Sequence, residues 1–211
     1  MVNTLNQTMT DFEIKLVPLP WRQAKAKAGD GELPALLGAY YHGHDWDYLY
    51  PYSQPLLYED VVLVCHKEKV AGNQLNWPED FKGKLVSNIS GYDGWLHNNV
   101  RSSHITELVN LIEVPDIATA WRMVNRKIVD CTLFEKRAMK AVQNDASGAI
   151  HIASLVTTES VHIGFSTNSS VKQKWPRLGN FKKQLDNAIY LSKAQRKRTL
   201  ETHKSIADGV K

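Results

Sequence analysis

The sequence predicts an α/β protein, and three observations support this fold class. Short apolar or β-branched segments of strand length alternate with segments of helical spacing along most of the chain. Pro20 and Gly29 bracket the first long helical segment, as is typical of helix ends. Hydrophobic residues make up 43% of the 211 residues, enough to form a packed core, which argues against a disordered chain.

The first third of the chain predicts a strand, a helix and a strand in the order of a βαβ unit. Before it, Val2, Leu5 and Met9 recur at the spacing of one face of a short helix. The elements predicted next are a strand over residues 12–17, a helix over 21–28, a strand over 35–41, a long loop over 42–58 and a strand over 60–66.

The middle of the chain, from Lys84 to about Ser160, has its own set of alternating strands and helices. Such an arrangement indicates a second lobe. The elements predicted here and beyond are strands over 85–89, 108–114, 129–134, 150–155 and 161–166, and helices from Trp95, over 117–126 with Asp116 as cap, over 136–144 and from Phe181 to about Ala207.

The composition of the chain argues against several classes of protein. The net charge is 26 − 22 = +4, too small a surplus to indicate a nucleic-acid partner. The longest apolar run, residues 61–65, is far shorter than the roughly 20 residues of a membrane helix. Cys65 and Cys131 are too few for a disulfide scaffold, and Cys131, within an apolar strand, is predicted to be an inert buried thiol. Residues 1–10 lack the pattern of a signal peptide.

The chemical motifs indicate no metal, no cofactor and no catalytic nucleophile. His42, His44 and Asp45 are of metal-ligand type, but no complete coordination set accompanies them, so ordinary loop residues are expected. No nucleophile elbow and no phosphate-binding glycine loop of a standard type is present. The turn at residues 90–94 (SGYDG) leaves two interpretations open: backbone N–H groups that hold a polar ligand, or an ordinary strand-to-helix turn.

Aromatic residues are concentrated beside the predicted strand that ends near residue 41. Side chains of this type suit a small-molecule pocket, because they combine apolar contact with a polar tip, although a plain core is the alternative. Ligands of open α/β sheets bind beyond the carboxyl ends of strands, which favours the pocket. The residues are Tyr40, Tyr41, Trp46, Tyr48, Tyr50, Tyr52 and Tyr58.

Three stretches in order carry a resemblance to a known family. They are residues 20–24 (PWRQA) with 37–41 (LGAYY), residues 52–60 (YSQPLLYED), and residues 77–84 (WPEDFKGK) leading to 90–92 (SGY). Their order and spacing resemble those of the extracellular solute-binding proteins of family 3, the amino-acid-type periplasmic receptors of bacterial ABC transporters. The resemblance runs from Met1 to about Ala207.

The resemblance implies a type II periplasmic-binding-protein fold, in which two α/β lobes joined by two crossing strands close over a ligand. Lobe one would comprise residues 1–65 and 167–211, and lobe two residues 66–166. The crossing strands would lie at residues 63–67 and 163–167. Family members also carry a first strand inside lobe one, and this sequence is expected to begin in the helix after it. An open strand edge and a swapped or edge-paired dimer are therefore expected.

The resemblance also implies the ligand contacts. Glu135 stands where amino-acid binders usually have an aspartate that binds the ligand ammonium, and Trp46 stands where they have an arginine that clamps the ligand carboxylate. A ligand other than an ordinary amino acid is therefore expected, with Trp46 favouring a cation. The other residues implied to contact the ligand are Trp21, Tyr40, Tyr41 and His42 on lobe one, and Ser90, Gly91 and Tyr92 on lobe two.

The function expected is a non-enzymatic solute-binding protein that holds a small polar or amine-bearing molecule and serves an ABC transporter permease in the periplasm. A sensory ligand-binding module of a signalling system is one alternative. A dehydratase-like enzyme on the same fold is the other, with Glu135 or Asp93 as its acidic residue.

Overall fold

The computed structural model describes residues 1–43, 46–72, 74–92, 99–142 and 148–208, and side chains for these except 99–103, 140–142 and 197–208. The helices are α1 Val2–Thr8, α2 Trp21–Gly29, α3 Asn99–Leu108, α4 Ile117–Asn125, α5 Lys136–Val142, α6 Ser169–Lys174 and α7 Leu178–Asp208. The strands are β1 Ala35–Tyr40, β2 Leu49–Tyr52, β3 Leu57–His66, β4 Leu85–Ile89, β5 Asn110–Val114, β6 Cys131–Glu135 and β7 Ile150–Ser166.

The chain forms two compact units. Unit 1 comprises Met1–Gly38, Asp47–Leu56 and His162–Lys211, and unit 2 comprises Ala39–Trp46 and Leu57–Val161. The chain passes between the units at 38/39, 46/47, 56/57 and 161/162. The predicted lobe limits are 65/66 and 166/167, and those limits stay a prediction. No helix among the described residues has the length and apolar character needed to cross a membrane.

A mixed sheet forms the centre of unit 2, with strand order β7-β3-β6-β4-β5. β3 runs antiparallel to both β6 and β7, whereas β4 runs parallel to β5 and β6. The β-branched run in β3 explains its central position, because its side chains are buried on both faces of the sheet. Val61 and Leu63 belong to the core on one face, and Val62 and Val64 to the core on the other.

A disulfide joins Cys65 on β3 to Cys131 on β6, and both residues are fully buried. The prediction of an inert thiol at Cys131 is therefore wrong. The two residues lie directly opposite each other in the antiparallel pair, with Cα atoms 4.1 Å apart. Sixty-six positions separate them in sequence, so only strand pairing brings the sulfur atoms within bonding distance.

In unit 1, α1 and α7 cover a core to which β1 and the end of β7 contribute. The predicted N-terminal helix is confirmed: Leu5 and Met9 are buried against residues of α7 such as Leu185. β1 and β2 both pair with β7. β2 lies in the region predicted as a long loop, which is therefore only partly correct.

The strand predicted over residues 12–17 is wrong: no strand forms there. Ile14 of this segment packs against the core of unit 1. Its N–H donates to the Asn6 side-chain oxygen at 2.8 Å, and its carbonyl accepts from the Asn6 amide nitrogen at 3.0 Å. The Asn6 side-chain amide thus makes the two hydrogen bonds to Ile14 that a neighbouring strand would otherwise make.

Other predicted elements lie close to the observed ones. β4 and the start of α4 agree in position, and the Asp116 carboxylate accepts the Thr119 N–H at 2.7 Å, as an N-cap does. The strands predicted over 150–155 and 161–166 are one continuous strand, β7, and their separation was wrong. The predicted helix start at Trp95 lies outside the described residues.

Candidate ligand-binding site

Three glutamates share one face of the unit 2 sheet. Glu59 on β3 lies directly opposite Glu159 on β7, and Glu135 on β6 lies opposite Val61, two residues further along β3. Because strand side chains alternate between faces, all three carboxylates project on the face that carries Val61 and the disulfide. These three residues are called the glutamate cluster below.

Two tyrosines lie within electrostatic reach of the glutamate cluster. Tyr40 ends β1 and packs against the same core as Val61. Tyr92 follows β4, and Glu135 is the last residue of β6. Since β4 and β6 run parallel, their carboxyl ends meet at one edge of the sheet, the usual ligand edge of such sheets.

Burial is the main cause of the pKa shifts at this edge of the sheet. It raises the pKa of Glu135, an effect that the Glu59 carboxylate increases and a backbone hydrogen bond opposes. It also raises the pKa of Glu59, which nearby Arg137 lowers and Asp60 raises. Burial first, and the surrounding carboxylates second, raise the pKa of the Tyr40 phenol. All three pKa shifts indicate that negative charge is poorly solvated at this edge, so that binding of a cation there is favoured.

Two members of the glutamate cluster have partners in the chain. The Glu59 carboxylate is 4.0 Å from the Arg137 Nε, and the Thr157 hydroxyl donates to Glu159 at 2.6 Å. Among the described residues, no Lys, Arg or His side chain forms an ion pair with Glu135. A cation at this edge would therefore find Glu135 as its partner.

The turn after β4 uses much of its polar capacity within the chain. The Ser90 hydroxyl donates to the Glu113 carboxylate at 2.9 Å, and the Ser90 N–H donates to the Val114 carbonyl at 2.8 Å. The Tyr92 N–H donates to the Ile89 carbonyl at 2.8 Å. Gly91 adopts a φ of 79°, which glycine accepts without strain. The interpretation as an ordinary turn gains weight, and Asp93 and Gly94 lie outside the described residues.

Four further predicted contact residues are His42, Trp46, Tyr41 and Trp21. His42 is 6% exposed and stacks on Trp46, with ring centroids 3.9 Å apart and an interplanar angle of 16°. One face of the Trp46 ring is thus covered by an imidazole. Tyr41 is 52% exposed. Trp21 begins α2 and belongs to unit 1.

The predicted absence of a metal site stays a prediction for the whole chain. Within the described residues, no three side chains of His, Cys, Asp or Glu are grouped so as to hold a metal ion. His44 and Asp45, two of the residues with ligand chemistry in the sequence, lie outside these residues.

Sequence reasoning missed Glu59 and Glu159. A charged residue at the start of an otherwise β-branched strand was one available signal for Glu59, because carboxylates are depleted in strands. Glu159 lies in the stretch predicted as a break between two strands. Only the continuous β7 brings it opposite Glu59.

Comparison with solved structures identifies the architecture. Arginine-binding ArgBP from T. maritima, in its holo form, matches with a TM-score of 0.69 at 13% identity, over 91% of this chain and 77% of that one. AbpA from Streptococcus pneumoniae, an amino acid ABC transporter substrate-binding protein bound to L-arginine, matches with 0.68 at 17% identity, over 98% and 80%. The GluR0 ligand-binding core from Nostoc punctiforme with L-glutamate matches with 0.67 at 16%, over 98% and 86%.

The protein has the type II periplasmic-binding-protein fold. The expected fold is thereby confirmed. No family model matches the chain, and no curated protein sequence is similar to it. With identities this low, the type II fold is what these neighbours establish, and the ligands in their names belong to those proteins.

Proposed function

We propose that this type II binding protein is a non-enzymatic solute-binding protein whose ligand carries an amine, and that Glu135 binds the ammonium group. The observation that supports this most directly is Glu135 itself. It is a partly buried carboxylate with no cationic side chain paired to it among the described residues, and it interacts electrostatically with Tyr40, Tyr92 and Glu59.

The physical argument for an amine is desolvation. An ionised carboxylate taken out of water is costly unless a cation or hydrogen-bond donors compensate it. Here the charge that acts on Glu135 is the Glu59 carboxylate, which increases that cost. A bound ammonium would remove the cost, and phenol rings such as those of Tyr40 and Tyr92 add a favourable contact for a cation.

We propose that the ligand carries no α-carboxylate, because this chain has no arginine at the position of the carboxylate clamp. Trp46 occupies the position that the resemblance assigns to the clamping arginine, and its ring is stacked on His42. The ligand contacts that we propose are those of the glutamate cluster in unit 2. An amine without an α-carboxylate is accordingly the chemical class proposed.

The partner and compartment that we propose are an ABC transporter permease and the periplasm. The Cys65–Cys131 disulfide supports the compartment, because buried disulfides persist in oxidising environments and are rare in the cytosol. The sensory module is a second class with the same binding chemistry. Co-purification with a permease, as against a kinase or cyclase, separates the two.

One observation favours an enzymatic alternative. The raised pKa of Glu135 in an acidic cluster is also a property of general acids and bases. Mass spectrometry of a ligand recovered after incubation discriminates: an unchanged ligand supports binding alone, and loss of water from the ligand supports a dehydratase-like reaction.

The experiment compares agmatine with L-arginine, which differ only in the α-carboxylate, by calorimetry and thermal shift. We expect agmatine to stabilise the protein at least as much as arginine, and L-glutamate not to do so. The Glu135→Gln variant should bind agmatine at least about tenfold more weakly, whereas Glu68→Gln, at an exposed pair with Lys127, should bind normally. Failure of every amine, or binding of arginine without agmatine, would contradict the proposal.

A further inference from the structure

Residues 12–17 of unit 1 lie outside any helix or strand and leave backbone groups unbonded within the part of the chain that the structure describes. No helix, turn or strand is assigned from Phe12 to Pro20. Ile14 directs both its N–H and its carbonyl to Asn6. Because an extended residue directs its N–H and its carbonyl to one side and its neighbours direct theirs to the other, we infer from these two bonds that the backbone groups of Glu13 and Lys15 face away from Asn6. Neither residue makes a backbone hydrogen bond within the described chain.

The side chains of this segment follow the same alternation. Phe12 packs its ring against Phe181 with centroids 5.6 Å apart, and Ile14 joins the core of unit 1. Lys15 and Glu13 are exposed, with 82% and 65% of their side-chain surface in solvent. At the end of the segment, Leu16 and Val17 are 57% and 60% exposed. An open edge that ends in exposed apolar residues is a surface for strand pairing.

The charge pattern of the segment is complementary to itself. In an antiparallel pair of two identical segments centred on Ile14, Glu13 lies opposite Lys15 of the second copy, and Lys15 opposite its Glu13. Centring on Glu13 or Lys15 instead would place like charges opposite each other, which is destabilising. The register centred on Ile14 also fits the backbone. The backbone groups of Ile14 already bond to Asn6, whereas those of Glu13 and Lys15 need partners on the second copy.

We propose that residues 12–17 form a self-association surface that pairs with the same segment of a second copy of this chain, antiparallel and centred on Ile14. The contact is isologous, so it closes as a two-fold dimer. Each Glu13–Lys15 pair exchanges its two N–H···O bonds, and the exposed Leu16 and Val17 lose solvent contact at the two ends. The surface is short, so the dimer is weak and depends on concentration.

The test is sedimentation velocity over a concentration series with two charge reversals, Glu13→Lys and Lys15→Glu. We expect the wild-type chain to dimerise reversibly and each variant alone to dimerise at least about tenfold more weakly. An equimolar mixture of the two variants should dimerise again, because every cross-strand pair is then opposite in charge. Glu68→Lys, a reversal at an exposed site in unit 2, should dimerise as wild type does.

Amide hydrogen exchange tests whether the dimer contact lies at residues 12–17. The amides of Glu13 and Lys15 should gain protection as the protein concentration rises. A wild-type chain that is monomeric at every concentration, a dimer insensitive to both reversals, or one whose amides at 13 and 15 stay unprotected would each overturn the proposal. Protection of these amides without dimerisation would assign the edge to a different strand and would overturn it too.

Discussion

Glu59 on β3 lies directly opposite Glu159 on β7, so that two carboxylates face each other across an antiparallel pair. Like charges in this position are unfavourable, and burial adds to the cost. The Thr157 hydroxyl relieves Glu159 and the Arg137 guanidinium partly relieves Glu59. This facing pair is part of the glutamate cluster on which the proposed ammonium site rests.

The first prediction concerns the pH dependence of stability at Glu59. Its pKa is raised above the ordinary 4.5, chiefly by burial, so the folded state holds its proton more tightly than the unfolded state. The wild-type chain should therefore lose stability relative to Glu59→Gln as the pH rises above about 4.5. Urea unfolding of both proteins across that range measures the difference.

A variant at an exposed glutamate, Glu68, should show the opposite dependence of stability on pH. The hydrogen bond from Lys127 lowers the pKa of Glu68, so the wild type should gain stability over Glu68→Gln as the pH rises towards 4.5. Parallel behaviour of the two variants would contradict the burial argument for Glu59.

The second prediction concerns the disulfide. Reduction, or the Cys65→Ala/Cys131→Ala double variant, should lower the free energy of unfolding by about 4 kcal/mol, because the bond closes a loop of 66 residues in the unfolded chain. Guanidinium unfolding with and without reductant measures it. The double variant should not respond to the reductant, and a wild-type chain that does not respond either would contradict a role in stability.

The third prediction concerns His162, which is 6% exposed and whose Nδ1 lies 2.7 Å from the Ser53 carbonyl. Burial lowers its pKa below the ordinary 6.5, and Lys193 on α7 adds to this, whereas the Ser53 bond and Asp186 oppose it. The unfolded chain thus takes up the proton first, and stability should fall as the pH drops below about 6.5.

A His162→Asn variant isolates this contribution. Its stability should be lower than that of wild type at pH 8, because a buried ring is lost, by about 1 to 3 kcal/mol. The gap should narrow towards pH 5.5, as judged by thermal unfolding at each pH. A gap that is constant over this range would contradict the assignment.

Local signals allowed much of the fold to be predicted. The Asp116 cap, the spacing of Leu5 and Met9 and the β-branched run of β3 each act within a few residues, and each produced the element expected. The predicted strand over residues 12–17 had the right alternation and failed, since a strand also needs a partner and the Asn6 side chain occupies the place of one.

The candidate site was predicted only in part. Glu135, Tyr40 and Tyr92 are named by the resemblance, and the structure groups them. Glu159 was out of reach, because β7 continues through a polar stretch that resembles a turn and is stabilised by pairing with β3. Ser90 was expected to face a ligand, and its hydroxyl is bonded to Glu113.

The amino-acid sequence by itself determined the fold class and most element positions. It did so because helix caps, strand alternation and turn residues act over short stretches of chain. The tertiary structure alone decided the Cys65–Cys131 bond, the facing pair Glu59 and Glu159 and the open edge at residues 12–17. The first two depend on strand register between segments that are distant in sequence, and register is set by the packing of the whole sheet. The edge at residues 12–17 depends on the bonds between Ile14 and the Asn6 side chain.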